Sequence, residues 1–136
     1  MNMHNDQPLK GARILIAEDD AFIALDIFDL LQDAGAEFLA PAASLGAALA
    51  IAKTASLTCA VLDVNLRRQL VFPAAQVLKE RGVKIVFNTA CSELERLRQD
   101  WPDAQVLSKP APPHLLLRSV CIACCSAGLP ACHYCL

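Results

Sequence analysis

The chain has 136 residues, of which 55% are hydrophobic, 19% charged and 5% aromatic, and its formal net charge is −2. This length suits one domain, and the hydrophobic fraction excludes a wholly disordered chain. The small negative charge argues against a general nucleic-acid-binding protein, which would carry a basic face.

The first part of the chain alternates short apolar runs with helical patterns. Residues 13–17 form an apolar run that ends in an acidic triplet, and polar residues at helical spacing then predict a helix over 22–34. Gly35 follows where a helix end favours glycine. A weak strand over 36–40 comes next, and Ser44 is expected to cap a helix that reaches about residue 54.

The same alternation continues to the last quarter of the chain. Residues 59–62 are continuously apolar, as expected of a strand buried on both faces of a sheet. The remaining predicted elements are, in order, a helix from Pro73 to Gly82, a strand over 83–87, a helix with a capping box at Ser92–Glu95, a strand over 105–107 and a helix from about Pro113.

Five strands alternating with helices predict a parallel sheet covered by helices on both faces. The fold class is therefore α/β, a flavodoxin-like doubly wound (βα)5 domain with strand order 2-1-3-4-5. We expect a flexible N-terminus over 1–10, the domain over 11–125 and a cysteine-rich tail over 126–136. Ligands of such folds bind beyond the carboxyl ends of the strands.

Chemically active side chains stand at those strand ends: Glu18, Asp19, Asp63, Thr89 and Lys109. Three carboxylates at one edge repel one another and favour a bound cation such as Mg²⁺. These groups could also carry out phosphoryl transfer, with a carboxylate as the nucleophile and a hydroxyl and an ammonium to stabilise the phosphoryl oxygens. Each residue alone has a simpler explanation, such as helix capping, and their convergence favours a site.

Four segments in this order resemble the receiver domain of response regulators in two-component signalling. They are Ile14–Asp20 (the first strand with its acidic residues), Val61–Leu66 (the phosphoacceptor strand), Phe87–Ala90 (the hydroxyl position) and Ser108–Pro110 (the Lys-Pro turn). The resemblance covers residues 11–120.

The resemblance implies that Asp63 is phosphorylated and that Thr89 and Lys109 assist. It also implies a Mg²⁺ ion bound by Asp19, Asp63 and the Asn65 carbonyl, with Glu18 acting through water. Asp20 is not expected to be a direct ligand, and the Lys109–Pro110 bond is expected to be cis.

The implied partners are a sensor histidine kinase or histidine phosphotransfer protein and a downstream protein target. Such a domain catalyses its own phosphorylation and dephosphorylation, and a homodimer is one form it could take. With no signal peptide visible, we expect a cytoplasmic location. Because the sequence leaves no length for an output domain, we expect a stand-alone receiver that binds neither membrane nor nucleic acid.

Two departures from the family pattern concern the output switch. Val106 stands three residues before the lysine, where receivers commonly carry an aromatic ring, and the loop over 66–71 lacks the usual proline and glycine. We therefore expect the backbone around residues 90–92, rather than a rotating ring, to report phosphorylation.

Seven cysteines leave a second hypothesis open. Two CxxC pairs, Cys121/Cys124 and Cys132/Cys135, could form a zinc site or a redox-responsive module, with Cys125 and His133 as spare donors. The alternative is that the cysteines of the last helix are small buried hydrophobes. A pseudo-receiver that signals by binding alone is a third hypothesis. A membrane helix over 119–136 is disfavoured because Gly128–Pro130 would interrupt it.

Overall fold

The computed structural model describes residues 7–90, 92 and 94–132. Its elements, in chain order, are β1 (Arg13–Ala17), α1 (Ala21–Asp33), β2 (Phe38–Ala42), α2 (Leu45–Thr54), β3 (Cys59–Leu62), β4 (Asn65–Leu66), β5 (Gln69–Leu70), α3 (Phe72–Glu80), β6 (Lys84–Thr89), α4 (Leu94–Asp100), β7 (Gln105–Ser108) and α5 (Pro113–Ser126).

Five of the strands form one parallel sheet in the order β2-β1-β3-β6-β7. Counting only these five along the chain, the order is 2-1-3-4-5, so the predicted flavodoxin-like fold is confirmed. Ala17 pairs with Leu62 and Thr89 with Ser108, so the carboxyl ends of four strands lie side by side.

Two apolar layers sandwich the sheet. Alternate strand residues face opposite sides because side chains in a strand point to the two faces in turn. On β1, Leu15 contributes to the core under α2, α3 and α4, whereas Ile14 and Ile16 contribute to the core under α1 and α5. On the first side, three aromatic rings pack together, with Phe87 edge-on to both Phe72 and Trp101.

Side-chain caps begin the first two helices. Asp20 accepts hydrogen bonds from the amides of Phe22 and Ile23, so α1 starts one residue earlier than predicted. Ser44 accepts from the Ala47 amide and caps α2 as predicted. Asp20 is therefore a capping residue. The helix expected to begin with a capping box at Ser92–Glu95 is α4, which begins at Leu94; Glu93, just before it, lies outside the described residues.

Three strands differ in extent from their sequence-based bounds, and β7 does so only by reaching Ser108. β2 lies two residues later than expected and contains Pro41, which an edge strand tolerates because one side needs no ladder hydrogen bonds. β6 extends to Thr89 instead of stopping at residue 87, so the Thr89 side chain is held by the strand itself.

The β4–β5 hairpin was not predicted. Its turn residues Arg67 and Arg68 have φ angles of 51° and 70°, in the left-handed region that a two-residue hairpin turn of type I′ requires. Glycine or asparagine at these positions is the usual sequence signal for such a turn. With arginine at both, the pattern of residues gave no indication of the hairpin.

The packed domain starts earlier than the boundary expected at residue 11. Leu9 is fully buried, and its amide donates to the Ala34 carbonyl at 2.9 Å. Gly35 has a φ of 96°, and a Cβ there would lie 2.8 Å from Gln7 Cβ. Leu9 therefore belongs to the packed domain and not to the flexible N-terminus expected over 1–10. Residues 1–6 lie outside the described part of the chain.

At the other end, α5 stops at Ser126 and Gly128 follows with a φ of 106°. Leu129 and Cys132 pack against the core under α1 and α5, so this part of the expected tail joins the domain. Over the described residues, no helix has both the length and the apolar character needed to span a membrane.

Candidate functional site

The predicted strand-end residues converge around the Asp63 carboxylate. Asp63 follows β3 directly, and its amide donates to the Ala17 carbonyl at 2.9 Å, which continues the pairing of β1 with β3. Thr89 Oγ1, at the end of β6, donates to Asp63 Oδ1 at 2.9 Å. Thr89 and Asp63 are both buried, so this contact is shielded from solvent.

Lys109 connects two acidic residues at this edge of the sheet. Its Nζ lies 2.6 Å from Asp63 Oδ2 and 2.6 Å from Glu18 Oε1. The Lys109–Pro110 bond is cis, as the family resemblance implied. Charge-assisted contacts of this length are among the stronger hydrogen bonds in proteins. One ammonium thus neutralises part of the charge of two buried carboxylates.

The pKa directions follow from burial and pairing. Burial raises the pKa of Glu18 above its ordinary value, although hydrogen bonds from Lys109 and the Asp20 amide favour the charged carboxylate. Burial alone would lower the pKa of Lys109. The hydrogen bonds and charges of Asp63 and Glu18 outweigh this effect of burial, so the pKa of Lys109 is raised above its ordinary value.

The β4–β5 hairpin completes the rim of the site. The Arg67 amide donates to Asp19 Oδ2 at 2.9 Å, and the Arg68 amide donates to Asn65 Oδ1 at 2.9 Å. The Asn65 amide approaches Asp63 Oδ1 at 3.4 Å. The unpredicted hairpin therefore holds Asp19 and Asn65, both of which sequence reasoning assigned to the metal site.

The donor set fits a hard divalent cation. Glu18, Asp19 and Asp63 each offer a carboxylate oxygen, and these oxygens lie within 4.8 Å of one another. Mg²⁺ prefers oxygen ligands and uses one or two carboxylates together with water. Glu18 directs its two oxygens to Lys109 and the Asp20 amide, which agrees with an expected role through water rather than by direct contact.

Comparisons with known proteins bear on the fold. No family model matches the chain. A solved response regulator receiver protein from Sinorhizobium medicae is 26% identical, with a TM-score of 0.78 over 88% of this chain and 98% of that one. A CheY-like receiver domain protein from Methanospirillum hungatei is 24% identical, with a TM-score of 0.77 over 87% and 97% of the two chains.

A curated relative, the transcriptional regulatory protein PdtaR of Mycobacterium tuberculosis, is 32% identical over 90 residues. The chain has the fold of response-regulator receiver domains. The PdtaR match covers 63% of this chain and 44% of PdtaR, so the chain spans less than half the length of the curated relative it matches.

Three of the five cysteines that the structure describes lie in the core. Cys121 and Cys124 are buried on α5, and Cys124 forms a hydrogen bond with Cys59 of β3. That hydrogen bond and burial raise the pKa of Cys59 well above its ordinary value, so its thiol stays protonated. These contacts agree with cysteines acting as small hydrophobes. Cys135, one of the four cysteines of the hypothetical zinc site, and the spare donor His133 lie outside the described residues.

Sequence reasoning missed Asn88, which is 5% exposed and faces the α1–α5 side of the sheet next to Thr89. The sequence could have indicated its burial, because side chains two residues apart in a strand face the same side of the sheet and Val86 is buried. Val106 is half-buried and packs against the core under α2, α3 and α4.

Proposed function

We propose that this receiver domain accepts a phosphoryl group on Asp63 from a sensor histidine kinase or a histidine phosphotransfer protein. The observation that carries the proposal is the placement of the Asp63 carboxylate between the Thr89 hydroxyl and the Lys109 ammonium. Bringing a carboxylate and an ammonium together in a largely buried place costs desolvation free energy, which supports a functional reason for the arrangement.

In the proposed step, an Asp63 oxygen attacks phosphorus while the bond from phosphorus to the donor's imidazole nitrogen breaks. The nitrogen keeps the electron pair, and an acyl phosphate forms on Asp63. Lys109 moves from the carboxylate to an equatorial phosphoryl oxygen, and Thr89 donates its hydroxyl hydrogen to another. Glu18 keeps its contact with Lys109 and so limits where the ammonium can go.

A magnesium ion fits beside Asp19, Asp63 and the Asn65 carbonyl, with Glu18 acting through water. When bound, it would supply positive charge that reduces repulsion between the carboxylates and the incoming phosphoryl group. The backbone of the hairpin holds Asp19 through the Arg67 amide. The side chains needed for this role are therefore positioned before any ligand arrives.

The output of the domain is proposed to be protein contact with a downstream target, as a relay, a phosphate sink or an allosteric partner. A cytoplasmic location is part of this proposal. Self-catalysed dephosphorylation of Asp63 belongs to the same proposal.

Intact mass measurement tests the proposal. The wild-type protein is incubated with acetyl phosphate and Mg²⁺, and we expect a gain of one phosphoryl group that hydroxylamine removes. Asp63→Asn should gain none. Asp26→Asn, which removes an exposed carboxylate of α1, serves as the matched control and should behave as the wild type. A wild-type protein that gains nothing would support the pseudo-receiver hypothesis instead.

A further inference from the structure

A groove of about 680 Å³ opens between α1 and α5, on the face of the sheet away from α2, α3 and α4. Small-molecule sites in proteins have volumes of about 300–1,000 Å³ and mostly apolar walls with a few polar groups. The walls here are formed mainly by apolar side chains, namely Ile23, Ile27, Leu30, Pro110, Pro113 and Leu116. The groove therefore has the size and lining of a small-molecule site.

Asn88 supplies a polar group at the floor of this groove. Its side chain is 95% buried, and within the part of the chain that the structure describes its Oδ1 is the one fully buried side-chain oxygen or nitrogen without a hydrogen-bond partner. A buried acceptor without a donor lowers the stability of the folded state. The terminal torsion of asparagine is soft, so the oxygen can turn toward a donor in the groove.

The charged neighbours of the groove favour particular ligands. Lys109 lines one end, but its ammonium is already engaged by Glu18 and Asp63, so it presents little free positive charge. Asp26 of α1 lies at the open side as an exposed carboxylate. An anion would meet this carboxylate, whereas a neutral or cationic group would not be repelled.

We propose that the groove binds a small amphipathic molecule with a flat apolar body and one N–H or O–H donor, neutral or cationic, whose donor is accepted by Asn88 Oδ1. The apolar body replaces water along α1 and α5, and the donor satisfies the buried oxygen. The groove adjoins the phosphoryl site at Lys109, and its other named lining residues do not belong to that site.

A pair of matched probes tests the proposal. Indole has a flat apolar body and one N–H, whereas 1-methylindole has nearly the same shape without the donor. Each is titrated into the ¹⁵N-labelled full chain, and amide shifts are followed. We expect indole to give saturable shifts centred on residues 23–30, 88 and 110–116. We expect 1-methylindole to bind about fivefold more weakly, as loss of one hydrogen bond predicts.

Two variants complete the design. Asn88→Ala removes the acceptor, and both probes should then bind with equal affinity, close to that of 1-methylindole in the wild type. Leu30→Trp fills the groove, and neither probe should bind. Equal affinities of the two probes in the wild type, shifts outside the groove, or a donor preference that persists in Asn88→Ala would each overturn the proposal.

Discussion

Lys109 Nζ lies 2.6 Å from Asp63 Oδ2, although the two residues are 46 positions apart in the chain. The same nitrogen also contacts Glu18, so a single cation is shared between the proposed phosphoacceptor and a second buried carboxylate. A phosphoryl group on Asp63 adds about −1.5 to −2 charges and offers Lys109 stronger acceptors than the carboxylate does. This shared contact makes Lys109 the residue best placed to respond to phosphorylation.

We therefore expect Lys109→Ala to separate phosphorylation from the structural response. The variant should still gain a phosphoryl group, more slowly than the wild type, because the Asp63 carboxylate is retained. Its near-ultraviolet circular dichroism should change little on phosphorylation. Arg81→Ala, which removes a cation distant from the site, should respond as the wild type does. A phosphorylated Lys109→Ala protein with the full wild-type spectral change would refute the role of Lys109.

The adjacent acids Asp19 and Asp20 should respond differently to substitution. Asp19→Ala should abolish phosphorylation and leave the free energy of unfolding unchanged or increased, because it reduces repulsion among carboxylates. Mg²⁺ should bind weakly to the wild type and raise its Tm slightly, and it should not do so for Asp19→Ala.

Asp20 provides the matched control because its side chain caps α1. Asp20→Asn preserves the cap and should change neither stability nor phosphorylation. Asp20→Ala should cost about 1 kcal/mol of stability without slowing phosphorylation. Phosphate gain is followed by intact mass and unfolding by urea titration. Wild-type phosphorylation kinetics in Asp19→Ala would contradict the metal assignment.

Phosphorylation should alter the segment 89–96 rather than the side chain of Val106. Thr89 should be drawn toward the phosphoryl group, and the space it leaves must be filled to preserve packing. Val106 is stiff about χ1 and is held in β7 opposite Phe87, so the backbone after β6 has to move instead. Amide hydrogen exchange with and without acetyl phosphate measures this, with Asp63→Asn as the control. Changes confined to the loop after Asp63 would show that the idea is wrong.

The hairpin turn should be stabilised by glycine. Arg67 and Arg68 both have positive φ angles, a conformation that costs residues with a Cβ about 1–2 kcal/mol. We expect Arg67→Gly and Arg68→Gly each to raise the free energy of unfolding by up to about 1 kcal/mol. Arg96→Gly, the same change within helix α4, should lower it by about 1 kcal/mol. Equal losses in all three variants would contradict the left-handed turn.

Substitution of a buried and an exposed phenylalanine should have different effects on stability. Phe87 is fully buried and packs edge-on to Phe72 and Trp101, whereas Phe22 is 83% exposed. Phe87→Ala should lower the free energy of unfolding by about 3–5 kcal/mol. Phe22→Ala should change it by no more than about 0.5 kcal/mol. Urea unfolding of the two variants measures both values, and similar losses would contradict the assigned burial.

The order of strands and helices could be predicted from the sequence, and so could the residues that lie at the strand ends. Apolar periodicity is local, and a parallel sheet aligns its strand ends, so Glu18, Asp63, Thr89 and Lys109 could be placed at one edge without coordinates. The family motifs added the cis bond before Pro110. These features depend on neighbours in the chain or on a general rule of the fold.

The contacts between individual side-chain and backbone atoms could be read from the three-dimensional structure alone. The sharing of Lys109 between Glu18 and Asp63 depends on side-chain conformations across three strands, which periodicity does not encode. The hairpin uses left-handed arginines in place of the usual turn residues, so the amide contact with Asp19 had no sequence signal. The Asn88 Oδ1 atom lacks a hydrogen-bond partner because α1 and α5 leave a groove above it, and that spacing is set by the packing of helices distant in sequence.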